Sequence, residues 1–262
     1  MAVLGVSGGC WYPLPAAEAP LRVAAAGAGC TEFFVCTSSE TSESFAREYR
    51  RICDGCGVRV VSLHPYTSFA ETFLFFSGYR SRFEDSLSLY DRYFEVCNII
   101  GAKVVNFHGA KLPNDVSVQR YAEVYHTLFR RAERAGVIFA QENVRQHCSG
   151  GLDFLLELSR ILRNEVRFTF DVKQANAEHL DVDRYIMNLA KKTALVHICD
   201  VTPKDFCLVP FNGSFDFARF FSKMKENGYD GTYMLEVYSS CFKDDSEIGN
   251  AVSGLKKIMG GN

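Results

Sequence analysis

Six polar residues of this 262-residue chain each stand at the close of a short apolar run: His64, His108, Glu142, Asp171, His197 and Glu236. Imidazoles and carboxylates are the side chains that most readily bind divalent cations or move protons near neutral pH. Three of the six, Glu142, Asp171 and Glu236, are carboxylates, and brought together beside a core they would repel one another. A divalent cation resolves that conflict. Oxygen-rich ligation with an imidazole suits Mn, Co, Mg or Zn, and ligand type alone does not choose among them. Two open positions on such an ion would accept adjacent oxygens of a hydroxy-carbonyl compound, polarise the carbonyl and acidify the neighbouring C–H. A monodentate Glu142 or Glu236 keeps a second oxygen with which to take or return that proton.

These residues are far apart in sequence, so something must gather them. Short β-branched or aromatic runs alternate with longer stretches of helical period, the pattern of βα units around a parallel sheet. The runs predict eight strands: Val3–Ser7, Thr31–Cys36, Val58–Leu63, Lys103–Phe107, Val137–Gln141, Val166–Phe170, Ala194–Ile198 and Thr232–Leu235. Helices are expected over Arg82–Ile100, Val118–Ala135, Leu152–Leu162, Val182–Ala190 and Phe215–Asn227. Gly101, Gly136 and Gly228 fit left-handed caps after three of them, and Asp181 and Ser214 fit N-caps. Eight repeats in a length near the ~250 residues of an eight-fold barrel predict a single (β/α)8 TIM barrel domain over residues 1–262. The alternative, an open doubly wound sheet, would be marked by G-x-G-x-x-G or G-x-x-x-x-G-K-[ST], and neither occurs. In a closed barrel the C-terminal strand ends surround one mouth, where all six polar residues would meet. The aromatic stretch Thr67–Arg80 after the third strand reads either as a lid over that mouth or as a short helix packed on the barrel; its aromatics also leave a homo-oligomer open.

Composition narrows the function. The chain is 47% hydrophobic and 23% charged, with 29 basic and 31 acidic residues for a net charge of −2. No Lys/Arg block offers a nucleic-acid footprint, and no apolar run nears the ~18 residues of a membrane span. The start, MAVLGVSGGCWYPLP, lacks the pattern of a secretory signal. Ten scattered cysteines do not form a disulfide framework, so a reducing, cytoplasmic setting is expected. A small polar substrate remains.

Several segments resemble the xylose isomerase-like barrels, which include sugar epimerases, hydroxypyruvate isomerase, inosose-processing enzymes and endonuclease IV. They are FAQENV (139–144), FTFDVKQA (168–175), LVHICDV (195–201), NGSFDF (212–217) and GYDGTYMLEVY (228–238), with NFHGA (106–110) at the fourth strand. The resemblance spans essentially the whole chain. It implies one divalent ion on Glu142, Asp171, His197 and Glu236, with Glu142 and Glu236 as the proton-transfer pair on opposite faces of the substrate carbon. It also implies isomerase or epimerase chemistry on a small sugar or keto-sugar through an enediolate intermediate; an inosose-type dehydratase or a non-catalytic metal- and sugar-binding barrel are the alternatives. Several epimerases carry a histidine three residues after the metal-binding aspartate. Here Gln174 stands there and can orient a substrate but not titrate. That replacement, and the lack of an Asp-x-His pair in residues 205–216, argue against the three-metal cluster of endonuclease IV.

His64, His108, Gln174, Asp200 and Lys173 are the expected substrate contacts. For Asp200 a loop cap is the competing reading, and for Lys173 and Arg145 surface solvation. Ser149-Gly150-Gly151 reads as an anion site or a plain loop. Cys53-x-x-Cys56 stands in an expected loop without a second pair, which argues against zinc or redox work. Trp11, after the first strand, reads as a sugar platform or as rim packing.

Overall fold

The computed structural model describes residues 2–260. Eight strands, β1 (Val3–Ser7), β2 (Cys30–Phe34), β3 (Arg59–His64), β4 (Val104–Phe107), β5 (Ile138–Glu142), β6 (Arg167–Asp171), β7 (Thr193–Ile198) and β8 (Thr232–Leu235), pair in sequence order. All pairs are parallel, and β8 returns to β1 with Val3 opposite Thr232 and Val6 opposite Leu235, which closes the barrel. Each expected strand is present, with ends shifted by a residue or two. The shifts bear on function, because β3, β5 and β6 now include His64, Glu142 and Asp171 as their last residues.

The helices are α1 (Ala19–Ala25), α2 (Glu43–Cys56), α3 (Glu71–Phe76), α4 (Arg80–Ile100), α5 (Val118–Arg134), α6 (Leu152–Leu162), α7 (Val172–Ala177), α8 (Val182–Leu189), α9 (Phe217–Glu226) and α10 (Asp245–Gly260). Gly101, Gly136 and Gly228 take the left-handed conformation at φ +83, +71 and +88°. Asp181 caps α8 by accepting from Arg184 N–H at 2.9 Å. Ser214, expected to cap the next helix, does not: Asp216 does, accepting from Arg219 N–H at 3.0 Å. Phe215 N–H is drawn instead to Asp200 Oδ1 at 2.9 Å, so the helix begins two residues later than its periodicity suggests. Cys53 and Cys56 lie in the last turn of α2 rather than in a loop. Thr67–Arg80 takes the helical reading, with α3 sinking Phe75 into the core while Phe69, Phe73 and Tyr79 stay exposed.

Strand side chains alternate, and both faces of the barrel wall are dry. Outward residues pack under the helices: Phe107 and Phe139 stack at 5.0 Å, and Tyr125 closes on Phe139 at the same separation while donating to its carbonyl at 2.6 Å. Near the floor of the interior, Val104, Ala140, Leu195 and Met234 form a small apolar cluster. Gly5 makes room there, since a Cβ would come within 2.7 Å of Cys30 Sγ and 2.9 Å of Met234 Cε. Above this floor the interior turns polar.

Candidate metal centre

The first polar layer is organised by a residue that sequence reasoning missed. Glu32, in the middle of β2, is fully buried. Its Oε2 accepts from Ser62 Oγ at 2.8 Å and Asn106 Nδ2 at 2.7 Å, and its Oε1 from Ser7 Oγ at 3.2 Å. Thr169 Oγ1 completes the net by donating to Asn106 Oδ1 at 2.6 Å. Every member of this layer has its partners. The only sequence cue was a carboxylate inside an otherwise apolar strand, CTEFFVC, with no strand-end position to draw attention to it.

One level higher, β5, β6 and β7 and the residue after β8 bring Glu142, Asp171, His197 and Glu236 together. Nδ1 of His197 lies 3.7 Å from Glu142 Oε1, 3.7 Å from Asp171 Oδ2 and 3.5 Å from Glu236 Oε2. Register contributes directly: Asp171 is paired with His197 across β6 and β7. Three buried atoms here, Glu142 Oε2, Asp171 Oδ2 and His197 Nδ1, have no hydrogen-bond partner. Buried polar atoms without partners are rare; Asp171 Oδ2 and His197 Nδ1 face each other at 3.7 Å, and Glu142 meets His197 through its other oxygen, Oε1. Ligand bonds of about 2.1 Å put neighbouring donors roughly 3.0–3.4 Å apart, close to the edges seen, so the donor set fits a divalent ion. The other imidazole nitrogen, Nε2, lies 3.3 Å from Glu32 Oε2. A carboxylate behind a histidine in this way fixes its tautomer and presents Nδ1 as the ligand atom.

The same carboxylates also act on the protons of the cluster. Burial disfavours a charged His197, but Glu236, Glu32, Asp171 and Glu142 together carry its pKa well above the usual histidine range. Burial likewise works against an ionised Glu142, yet His108 and His197 hold it well below the usual carboxylate range. Lys173 belongs to the same cluster. It is buried, with Nζ 2.8 Å from Glu236 Oε2 and 3.3 Å from Asp171 Oδ2, and 5.1 Å from the centre of the Tyr238 ring. The competing reading of this lysine as a solvated surface group is overturned, because α7 starts immediately after β6 and its first turn aims residue 173 back over the mouth.

His64 and His108 flank Glu142 on the opposite side. Their Nε2 atoms are 3.0 Å apart, and His108 Nε2 is 3.3 Å from Glu142 Oε2. His64 stacks on Phe34 at 4.9 Å. A second buried acid absent from the sequence reading, Glu71 of α3, holds this corner: its Oε2 accepts from His108 N–H at 2.8 Å and from Gly109 N–H, while Tyr90 donates to its Oε1. Burial lifts the Glu71 pKa to about 7, opposed by His108 and these donors. The stretch after β3 is thus a fixed wall clamped to β4 rather than a free lid.

The remaining candidates are placed as follows. Asp200 is buried, and four backbone amides occupy it: Val201 and Phe215 on Oδ1, Phe211 and Gly213 on Oδ2, at 2.8–3.0 Å. It organises the loop after β7, which corrects its assignment as a substrate contact. Gln174 Oε1 accepts from Arg145 N–H at 3.0 Å, leaving its amide as a donor at the rim; the Arg145 residue is exposed. Ser149 is buried and bridges Val144 N–H to the His108 carbonyl, so the serine–glycine trio is a packed loop. Trp11 is buried with Nε1 donating to Asp245 Oδ1 at 2.8 Å, which makes it rim packing. A cavity of about 640 Å³ opens at the opposite end of the barrel between Ala2, Arg59, Lys225 and Lys256. Among the described residues, the clusters able to hold a metal all draw on Glu142, His197 or both, at the mouth.

A closed eight-stranded parallel barrel with acidic and imidazole side chains gathered at its C-terminal mouth is a TIM barrel. The chain belongs to the xylose isomerase-like TIM barrel family, whose model matches residues 21–258. Among curated proteins it is similar to L-ribulose-5-phosphate 3-epimerase UlaE of Escherichia coli, at 26% identity over 167 residues. That match covers 61% of this chain and 59% of the relative, so the chain spans about three-fifths of the length of the curated relatives it matches. Its fold is similar to D-psicose 3-epimerase with D-tagatose from Clostridium cellulolyticum H10, with TM-score 0.77, 15% identity and 98% and 99% of the two chains covered. It is also similar to D-allulose 3-epimerase from Methylomonas sp. in complex with D-allulose, with TM-score 0.78, 19% identity and coverage of 98% and 96%.

Proposed function

We propose that the protein is a divalent-metal-dependent isomerase or epimerase of a small sugar or keto-sugar. Glu142, Asp171, His197 and Glu236 would hold one ion, Mn, Co, Mg or Zn, and Glu142 and Glu236 would move the proton. The observation that carries this reading is the convergence of Glu142 Oε1, Asp171 Oδ2 and Glu236 Oε2 within 3.5–3.7 Å of His197 Nδ1. The names of the relatives, all sugar epimerases, support the substrate class. All ten thiols are free, which supports a reducing compartment, the cytoplasm.

An ion held by Glu142, Asp171, His197 and Glu236 would supply Lewis acidity to the oxygens of a hydroxy-carbonyl substrate and so acidify the C–H beside the carbonyl. The protein's own groups do the rest. One glutamate takes the proton from that carbon, the enediolate forms, and the second glutamate returns a proton from the other side, giving the epimer; return to the neighbouring carbon gives the isomer. His108 and His64, beside Glu142 Oε2, orient that carboxylate and face the substrate hydroxyls. Lys173 holds Glu236 as a carboxylate and contributes positive charge where negative charge develops on the substrate oxygens.

Incubating metal-loaded protein with free and phosphorylated ketoses in D2O tests this reading. Deuterium should enter the carbon beside the carbonyl, and Glu236→Gln should abolish that exchange while the barrel stays folded. Absence of exchange on every ketose, or full exchange in the variant, would overturn it.

A further inference from the structure

Three thiols not used by the proposed chemistry gather on one side of the same mouth. Cys199 follows β7, Cys207 lies in the loop that Asp200 organises, and Cys241 lies in a short turn after β8. The sulfurs of Cys207 and Cys241 are 3.8 Å apart, and Cys241 Sγ is 3.4 Å from the Cys207 carbonyl. Forming a bond of about 2.05 Å requires the sulfurs to approach by roughly 1.8 Å. Cys241 is partly exposed and Cys207 nearly buried, so a small oxidant enters from the Cys241 side.

We propose that Cys207 and Cys241 form a reversible disulfide on exposure to hydrogen peroxide, tying the loop after β7 to the loop after β8. The Cys207 thiol is suited to react first. The neighbouring Cys199 thiol, the charge of Lys173 and the Tyr238 amide bring its pKa down to about 7 against the opposing effect of burial. A thiolate at that position is the nucleophile in such oxidations. It attacks one peroxide oxygen and the O–O bond breaks. The departing hydroxide takes a proton and leaves as water, with Cys207 now a sulfenic acid. The Cys241 sulfur gives up its proton and attacks the Cys207 sulfur. The S–S bond forms as the S–O bond breaks, and the hydroxyl leaves with that proton as a second water. Two thiols and one peroxide thus give one disulfide and two waters.

The bond would act on the site through Tyr238. The carbonyl of Tyr238 accepts from Cys241 N–H at 2.9 Å, and its ring lies beside Lys173, which holds Glu236. Cys199 Sγ is directed to the Phe206 carbonyl at 3.9 Å. Cys56, in the last turn of α2, faces the carbonyls of Cys53 and Pro20, and Cys148 lies against Asn114.

The test treats the full-length, metal-loaded protein with hydrogen peroxide, blocks remaining thiols and maps the peptides by mass spectrometry. A peptide linking Cys207 to Cys241 should appear before Cys36, Cys56 or Cys148 is modified, and dithiothreitol should reverse it. In Cys241→Ser, dimedone should trap a sulfenic acid at Cys207, and in Cys207→Ser no link should form. Finding Cys207 and Cys241 both alkylated while other cysteines have oxidised, or Cys207 linked to another cysteine, overturns the proposal. This mapping needs no turnover, so it stands apart from the assignment of a sugar substrate.

Discussion

Two layers of buried carboxylates lie one above the other inside this barrel, and they differ in one respect. In the lower layer Glu32 is saturated, with three side-chain donors and His197 around it. In the upper layer Glu142 and Asp171 each keep an oxygen with no hydrogen-bond partner, and His197 a ring nitrogen likewise. Burial is the same and residue type is the same; satisfaction is not. A saturated buried acid is a structural element; acids held only by ion-pair neighbours, Glu142 by His108 and Asp171 by Lys173, keep the capacity that the proposed site requires. His197 joins the two, with Nε2 toward the lower layer and Nδ1 toward the upper.

Substitutions that keep shape and remove charge should separate the layers. The largest effect is expected in the upper one. Glu236→Gln or Glu142→Gln should cut turnover by at least the 100- to 10,000-fold that general acid–base catalysis typically contributes, measured by steady-state rates at saturating metal. In the lower layer the effect should fall on the fold. Glu32→Gln forces a donor amide among groups that already donate, and should cost about 3–5 kcal/mol in denaturant unfolding, in line with breaking a buried ionic network. It should also weaken metal affinity about 10- to 100-fold through loss of the support behind His197. Equal turnover losses in both layers with no change in stability would erase the distinction.

A third buried acid, Glu71, sharpens the comparison through pH. Its pKa is raised from 4.5 to about 7, so the native state holds its proton more tightly than the unfolded chain does. The stability it contributes is therefore complete below about pH 4.5 and lost as pH rises through about 7, on the order of 3 kcal/mol in all. Glu71→Gln should flatten that part of the stability–pH curve, read by thermal unfolding at a series of pH values. The smallest effect is expected at Asp200→Asn, where exchanging one acceptor oxygen for an amide should cost about 1–3 kcal/mol and leave metal affinity unchanged. A large loss of metal binding there would return Asp200 to the site.

The sequence made the barrel legible because its two signals are periodic: strand and helix alternate along the chain, and apolar runs end in polar residues on one edge. His64, Glu142 and Asp171 fall at strand ends for that reason. Glu32 and Glu71 escaped because each sits inside an apolar stretch, where periodicity registers a core position and gives no hint of the donors supplied from strands and helices far away in sequence. Lys173 and Asp200 show the limit most clearly. Both come within a few residues of a proposed ligand, and only the path of the following backbone decides their roles: α7 turns Lys173 back over the mouth, while the loop after β7 wraps around Asp200. Such turns are three-dimensional facts with no periodic trace.

Metal binding to chelator-stripped protein, followed by isothermal titration calorimetry and elemental analysis, tests the central claim most directly. The account predicts one equivalent of divalent metal per chain, with heat of binding lost in Asp171→Asn and retained, though weaker, in Glu32→Gln. Stripped protein that takes up no divalent metal, or an Asp171→Asn variant that binds as tightly as the parent, would contradict it.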